Sequence, residues 1–153
     1  MVKVLPLGFE FEHDYTLIAI NSTLEDYRLA YLLNKEFDIK LSCRPKGLSF
    51  KDKDCTFTFY NYECNINFSS WSLLANKHIY TSINSNVNDL FKEESKMNYL
   101  INEKKEIDYF LKINGEIDID EFQITKKIKN IKGVIASFHI IPQTLKSKDY
   151  LIF

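Results

Sequence analysis

Two switches from two-residue to roughly 3.6-residue hydrophobic periodicity constrain this chain's fold more than any other feature. Phe9, Phe11, His13 and Tyr15 alternate with Glu10, Glu12, Asp14 and Thr16, and Leu17 to Ile20 is apolar throughout. This predicts a long first strand that enters a sheet from its rim and is then covered on both faces. Asn21 and Ser22 stop it. Ser22-Thr23-Leu24-Glu25 has the spacing of a capping box, so a helix is expected to begin there. Leu24, Tyr27 and Tyr31 form its apolar stripe, widened by Leu29, Leu32 and Leu33, and residues 34–38 carry its end. A short strand follows around Ile39 to Cys43, and Pro45 and Gly47 turn the chain. The second switch comes later: a strand over Ile107 to Ile113 ends at Asn114-Gly115, and Asp118 or Asp120 caps a second helix. Phe122, Ile124, Ile128 and Ile131 give that helix its apolar stripe, Gly133 suits its C-terminal cap, and Val134 to Ile141 is the last strand, stopped by Pro142.

Between the switches, Cys55, Phe57 and Phe59 alternate with Thr56, Thr58, Tyr60 and Tyr62, and Ile66, Phe68, Trp71, Leu73 and Leu74 follow a polar break. An antiparallel pair of strands fits this pattern. Residues 82–102 are rich in Asn, Ser, Lys and Glu, which predicts an exposed connection with one helical turn. The order predicts an α+β fold, a largely antiparallel sheet with two helices on one face, with a ferredoxin-like core carrying inserted strands as the favoured topology. Residues 1–153 are expected to form a single domain, whose closing Leu151-Ile152-Phe153 docks onto it.

Twenty basic and 21 acidic residues leave a net charge of -1, which supplies no global attraction for nucleic acid or an anionic membrane. Cys43, Cys55 and Cys64 lack the paired short spacing of zinc or redox sites and are expected to be reduced thiols in a cytoplasmic protein. The opening residues run into Glu10 and Glu12, unlike a signal peptide, and no window approaches the roughly 20 apolar residues of a membrane span. The four glycines are too dispersed to cradle a phosphate, and His13, His78 and His139 lack metal-ligand spacing, so no cofactor and no metal are expected.

The sharpest chemical feature is Asp108, an acid among Ile107, Tyr109, Phe110, Leu111 and Ile113. A buried unpaired carboxylate costs several kcal/mol, so Asp108 needs a donor, solvent or a proton. Arg28 is a candidate partner because a guanidinium matches a carboxylate. Alternatively, Asp108 shares an open strand face with Phe110 and Lys112 and meets water. Glu103 and Asp108, with Arg28, could also build a two-carboxylate enzyme site.

The segment Ile101-Asn102-Glu103, three residues, then Ile107-Asp108-Tyr109 resembles the uncharacterised bacterial family named for the pattern IPExxxVDY. Asn102 stands where the family has proline, and Ile107 where it has valine. Asp26-Tyr27-Arg28-Leu29 with Leu32-Leu33-Asn34, and the closing Leu145-Lys146-Ser147-Lys148 with Leu151-Ile152-Phe153, are also similar to that family. The resemblance implies a cytoplasmic role and assigns no residue a chemical task.

The functional expectation is a small binding or adaptor protein that associates with other proteins, a homodimer included. Its surface would be an aromatic patch of Tyr60, Tyr62, Phe68 and Trp71. The alternatives are a small enzyme using Glu103, Asp108 and Arg28, and an RNA-associated protein using the helix face of Lys126, Lys127, Lys129 and Lys132, with Tyr60 or Tyr62 as a stacking platform.

Overall fold

Leu17, Ile18, Ala19 and Ile20 are all fully buried because their strand is central in its sheet and covered on both faces. The structure is a computed structural model that describes residues 14–53, 55–83, 93–115 and 118–153. Its elements are β1 (Thr16–Ser22), α1 (Asp26–Phe37), β2 (Ser42–Cys43), β3 (Leu48–Ser49), β4 (Thr56–Phe57), β5 (Phe59–Cys64), β6 (Ser69–Ala75), β7 (Lys77–Ile83), β8 (Glu93–Tyr99), β9 (Tyr109–Gly115), α2 (Glu121–Lys129) and β10 (Val134–Ile140). The alternation expected from Phe9 to His13 lies outside the described residues.

Six strands form one antiparallel sheet in the order β10-β1-β9-β6-β5-β2. The strands β1, β6, β9 and β10, with the two helices between them, have the β-α-β-β-α-β order and the spatial arrangement of a ferredoxin-like core. β2 to β5 are inserted before β6, and the β7–β8 hairpin lies between β6 and β9.

Strand parity divides the sheet into two buried faces. Ile18, Ile20, Tyr60, Trp71, Leu73, Leu111 and Ile113 meet Leu29, Ala30 and Leu33 of α1 and Ile128 of α2. On the opposite face, Leu17, Ala19, Leu74 and Phe110 are covered by Leu48, Phe57, Leu100, Ile101, Ile107, Leu145 and Leu151. Each such side chain contributes about 1.5–3 kcal/mol on burial, so the face without helices is as much a core as the helical one. The expected docking of the closing residues is therefore met by Leu145 and Leu151, while Ile152 and Phe153 stay partly exposed.

Local expectations diverge from the structure where tertiary bonds compete. Asp120 caps α2 by accepting from the Phe122 and Gln123 amides, as its position predicts. The capping box at Ser22 does not form: Ser22 ends β1, its hydroxyl donates to the Gly133 carbonyl and accepts from the Leu24 amide, and α1 starts after Glu25. The buried stripe of α1 is Leu29, Ala30 and Leu33, so Tyr27 and Tyr31 are turned outward, as is Phe122 on α2. Of the connection expected over residues 82–102, residues 84–92 lie outside the described residues, while 93–99 form β8, paired with β7 by backbone hydrogen bonds that no hydrophobic pattern announces. Gly133 has a φ of +104° and a Cβ there would stand 2.7 Å from Leu24, so the turn into β10 requires glycine. Among the described residues no helix is long and apolar enough to cross a membrane.

Candidate functional site

The motif segment at residues 101–109 is a loop wrapped around one buried amide. Asn76, fully buried after β6, donates through Nδ2 to the carbonyls of Lys104 (2.8 Å) and Ile107 (2.9 Å) and accepts the Ile101 amide at Oδ1 (2.8 Å). Its own backbone N–H donates to the Asp108 carbonyl (2.9 Å), and its carbonyl accepts the Leu100 amide (2.8 Å). Ile101 and Ile107 flank the loop as fully buried anchors. The loop is thus held at both ends and from within, and the backbone groups that face Asn76 are satisfied by its side chain.

The two motif acids serve different neighbours. Asp108 Oδ2 accepts the Ser22 amide (2.9 Å) and Oδ1 pairs with the Lys77 ammonium (2.9 Å). Arg28 is exposed on α1, so the expected Arg28–Asp108 pair is replaced by Lys77–Asp108; Lys77 begins the strand that directly follows Asn76. The expected open face is also overturned, since Phe110 and Lys112 lie beneath the loop and the closing residues. Glu103 lies in a single 3-10 turn and accepts the Ser147 amide at 2.8 Å. Burial pushes Glu103 up, but the Ser147 hydroxyl and the backbone amides of Glu103, Ser147 and Lys146 together hold it below the usual carboxylate range. Tyr109 donates to the Leu24 carbonyl (2.8 Å), and its phenol is pushed up to about 12 by burial and the nearby Asp26, Glu25 and Asp108. Glu103, Asp108 and Arg28 thus belong to three separate contacts: the closing residues, the end of β1, and the outer face of α1.

Replacing Asp108 with asparagine should lower stability by about 1–2 kcal/mol, because a charge-assisted acceptor and an ion pair become a neutral contact. The measurement is the urea midpoint at neutral pH. A double-mutant cycle with Lys77→Met should recover a coupling of similar sign.

The central aromatics do not form a shared patch. Tyr60 and Trp71 are buried beneath α1, and Tyr60 donates to Asp26 at 2.8 Å. Tyr62 is half-buried on the same face, and only Phe68, in the turn between β5 and β6, is exposed. Strand parity explains this: Tyr60, Tyr62 and Trp71 share the face that the helices cover. Tyr60 is consequently no stacking platform for a base, although Lys126, Lys127, Lys129 and Lys132 are all exposed on and after α2.

A different surface emerges at the rim. β10 ends the sheet, pairing with β1, and among the described residues no strand lies beyond it. Its seven residues, Val134–Ile140, carry no Asp, Glu, Lys or Arg, and Ile135 (66%), Phe138 (40%) and the following Ile141 (57%) are exposed. The opposite rim is only the two-residue β2. Long, uncharged edges template strand addition, and proteins usually protect them with charge, bulges or brevity. The register shift opposite Asn21 and Ser22 gives β10 partial protection at its start.

The flanks of this edge are charged in opposite senses. α2 packs on β10, and its last turns, with Lys126, Lys127 and Lys129, lead through Lys132 to the start of the strand. Its first turn lies at the other end, where Glu121 lines a groove of about 410 Å³ with Asp14, His139 and Ile141. Neither this edge nor Asn76 was singled out in the sequence; the signal available for β10 was an eight-residue run without a formal charge, Val134 to Ile141. Among the described residues no group of three His, Cys, Asp or Glu side chains could hold a metal ion. No family model, curated protein or solved structure matches the chain.

Proposed function

We propose that this chain is a binding protein of the adaptor type, acting by association through the β10 edge, and that the edge first takes a second copy of the chain. The supporting observation is the uncharged, partly apolar rim strand with a basic flank at its start and an acidic flank at its end. Antiparallel pairing about a two-fold axis sets the start of one β10 against the end of the other. The lysines in the last turns of α2 and Lys132 of one copy then approach Glu121 and Asp14 of its partner, so the pairing is complementary in charge as well as in backbone hydrogen bonds.

Exposed Tyr27, Arg28 and Tyr31 on α1, which line a shallow groove with Leu32, leave a second surface of residue types that anchor protein partners. The enzyme reading loses its support, because Glu103 and Asp108 are each committed to structural hydrogen bonds. A cytoplasmic setting is part of the proposal, supported by Cys43, Cys55 and Cys64 not being joined in disulfides. So is kinship with the bacterial IPExxxVDY family, in which Ile101, Glu103, Ile107, Asp108 and Tyr109 would be residues that build the loop.

Sedimentation equilibrium tests the association. The wild-type chain should dimerise, and Ile135→Lys or Phe138→Lys, each at an exposed position, should weaken the dimer by about tenfold or more through charge placed on the joined edges. Added salt should weaken the wild-type dimer. A wild-type monomer, or a dimer indifferent to both substitutions, would overturn the proposal.

A further inference from the structure

The sheet face that the helices leave uncovered turns polar at one end. Residues opposite one another in paired strands share a face, so Glu63 of β5, Ser70 of β6 and Asn114 of β9 form one row across three strands. Asn61, Ser72 and Lys112 form the next row, and Phe59, Leu74 and Phe110 the third. On their other face, the same strands give Tyr60, Trp71, Leu73, Leu111 and Ile113 to the core beneath the helices. The first two rows, Lys112 apart, floor a cleft of about 250 Å³ walled by Leu48, Phe59 and Phe153. It lies away from β10, with β1 between, so it is separate from the proposed association.

The floor holds hydrogen-bonding capacity that the protein leaves unused. Ser72, only 2% exposed, donates its hydroxyl proton to Asn61 Oδ1 at 3.0 Å. Among the described residues, nothing accepts from Asn61 Nδ2, and the side chains of Ser70, Asn114 and Glu63 make no hydrogen bond or ion pair. These groups stand beside two aromatic rings, Phe59 and Phe153, set edge-on with centres 5.1 Å apart.

Charge narrows the class of occupant. Glu63 lines the cleft and no lysine or arginine does, so an anion is repelled. An ammonium would find one carboxylate, with the Lys112 cation in the neighbouring row already held by the Leu151 carbonyl. An apolar ligand would cover the amides and hydroxyls and leave them unsatisfied. A neutral molecule with several hydroxyls meets all three conditions, because each hydroxyl both donates and accepts. We propose that the cleft binds a neutral polyhydroxy compound, a monosaccharide or cyclic polyol, with its hydroxyls on Glu63, Asn61, Ser70 and Asn114 and a C–H face against Phe153. The cleft is smaller than the roughly 300–1,000 Å³ of sites for drug-sized ligands, which limits the occupant to a single ring.

Titration of the ¹⁵N-labelled full chain with glucose, ribose and myo-inositol, followed by amide NMR, tests this. At least one should bind saturably and shift the side-chain NH₂ signals of Asn61 and Asn114. Asn114→Ala should weaken that ligand by about threefold to tenfold, the worth of one neutral hydrogen bond. Glu63→Gln should weaken it by about fivefold or more, since a charge-assisted acceptor becomes a neutral one. Neither side chain bonds to the protein, so both variants should keep the far-ultraviolet circular dichroism of the wild type; should one fail there, the other decides. Absence of saturable binding by all three compounds, or unchanged affinity in a folded variant, overturns the site. Tighter binding of acetate or putrescine at the same signals overturns the neutral class of ligand.

Discussion

Asn76→Ala is expected to lower the unfolding free energy by about 3 kcal/mol, because it leaves two buried backbone groups without partners and takes one of two hydrogen bonds from a third. The orphaned groups are the Ile101 N–H and the Ile107 carbonyl, in a loop whose flanking Leu100, Ile101 and Ile107 are fully buried; the Lys104 carbonyl keeps the Ile107 amide at 3.1 Å. Asn76→Asp separates shape from hydrogen bonding. Its carboxyl can still accept from Ile101, but an ionised oxygen would face the two carbonyls that Nδ2 now serves, so the group must keep a proton to donate even one bond. Its folded-state pKa is therefore expected to rise above the unfolded value of about 3.9. Stability from such a group is fully present below the unfolded pKa and is lost as pH rises through the folded one. Asn76→Asp should accordingly be less damaging at about pH 4 than at neutral pH, relative to wild type, whereas the Asn76→Ala deficit should stay level across that range. Urea unfolding at the two pH values measures both. Equal deficits for Asn76→Asp at each pH would contradict the bonding scheme.

Lys112→Met should change the alkaline limb of stability. Burial pushes the Lys112 ammonium down from 10.5 to about 8. For a base lowered on folding, the destabilisation is present below the folded value and relieved as pH rises towards the unfolded one. The separation amounts to roughly 3 kcal/mol at about 1.4 kcal/mol per pH unit, of which roughly 2 kcal/mol should be recovered between about pH 8 and pH 10. The Tyr15 ring lies against this amine, its centre 4.6 Å away. Burial and Asp149 push the Tyr15 phenol up, so it stays neutral through that window, and the slope turns down above about pH 10, where tyrosines of the unfolded chain ionise. The raised tyrosines lower the stability of both proteins alike as pH nears 10, so the wild type should gain relative to Lys112→Met over the window. At neutral pH the variant should be more stable by about 1–2 kcal/mol, the orphaned Leu151 carbonyl offsetting part of the gain. Identical alkaline profiles would show that the amine is not buried in the folded state.

Much of the architecture was readable because it follows from local pattern. The apolar run at residues 17–20 marked a strand covered on both sides, and Asp120 marked the start of α2 through amides only two and three residues away. The candidate site was less readable because its partners are remote. Ser22 exchanged a local cap for the Gly133 carbonyl, 111 residues onward. Asp108 found Lys77 rather than Arg28, since the start of β7 is held beside it by the Asn76–Asp108 backbone bond. Tyr60 and Trp71 had the composition of an interaction patch, but they lie on the face that the helices cover.

By itself, the amino-acid sequence determined the order of the core strands and helices, the α+β class, the capping of α2 and the apolar run of β1, all of which depend on residues within a turn or a pleat of one another. Tertiary structure alone decided that Asn76 knots the 101–108 loop, that β10 is the open rim, and that Lys112 sits under Leu151 and Phe153. Those outcomes depend on which distant backbone groups meet across the sheet, and hydrophobic spacing along a chain does not encode the partner of a particular amide or amine.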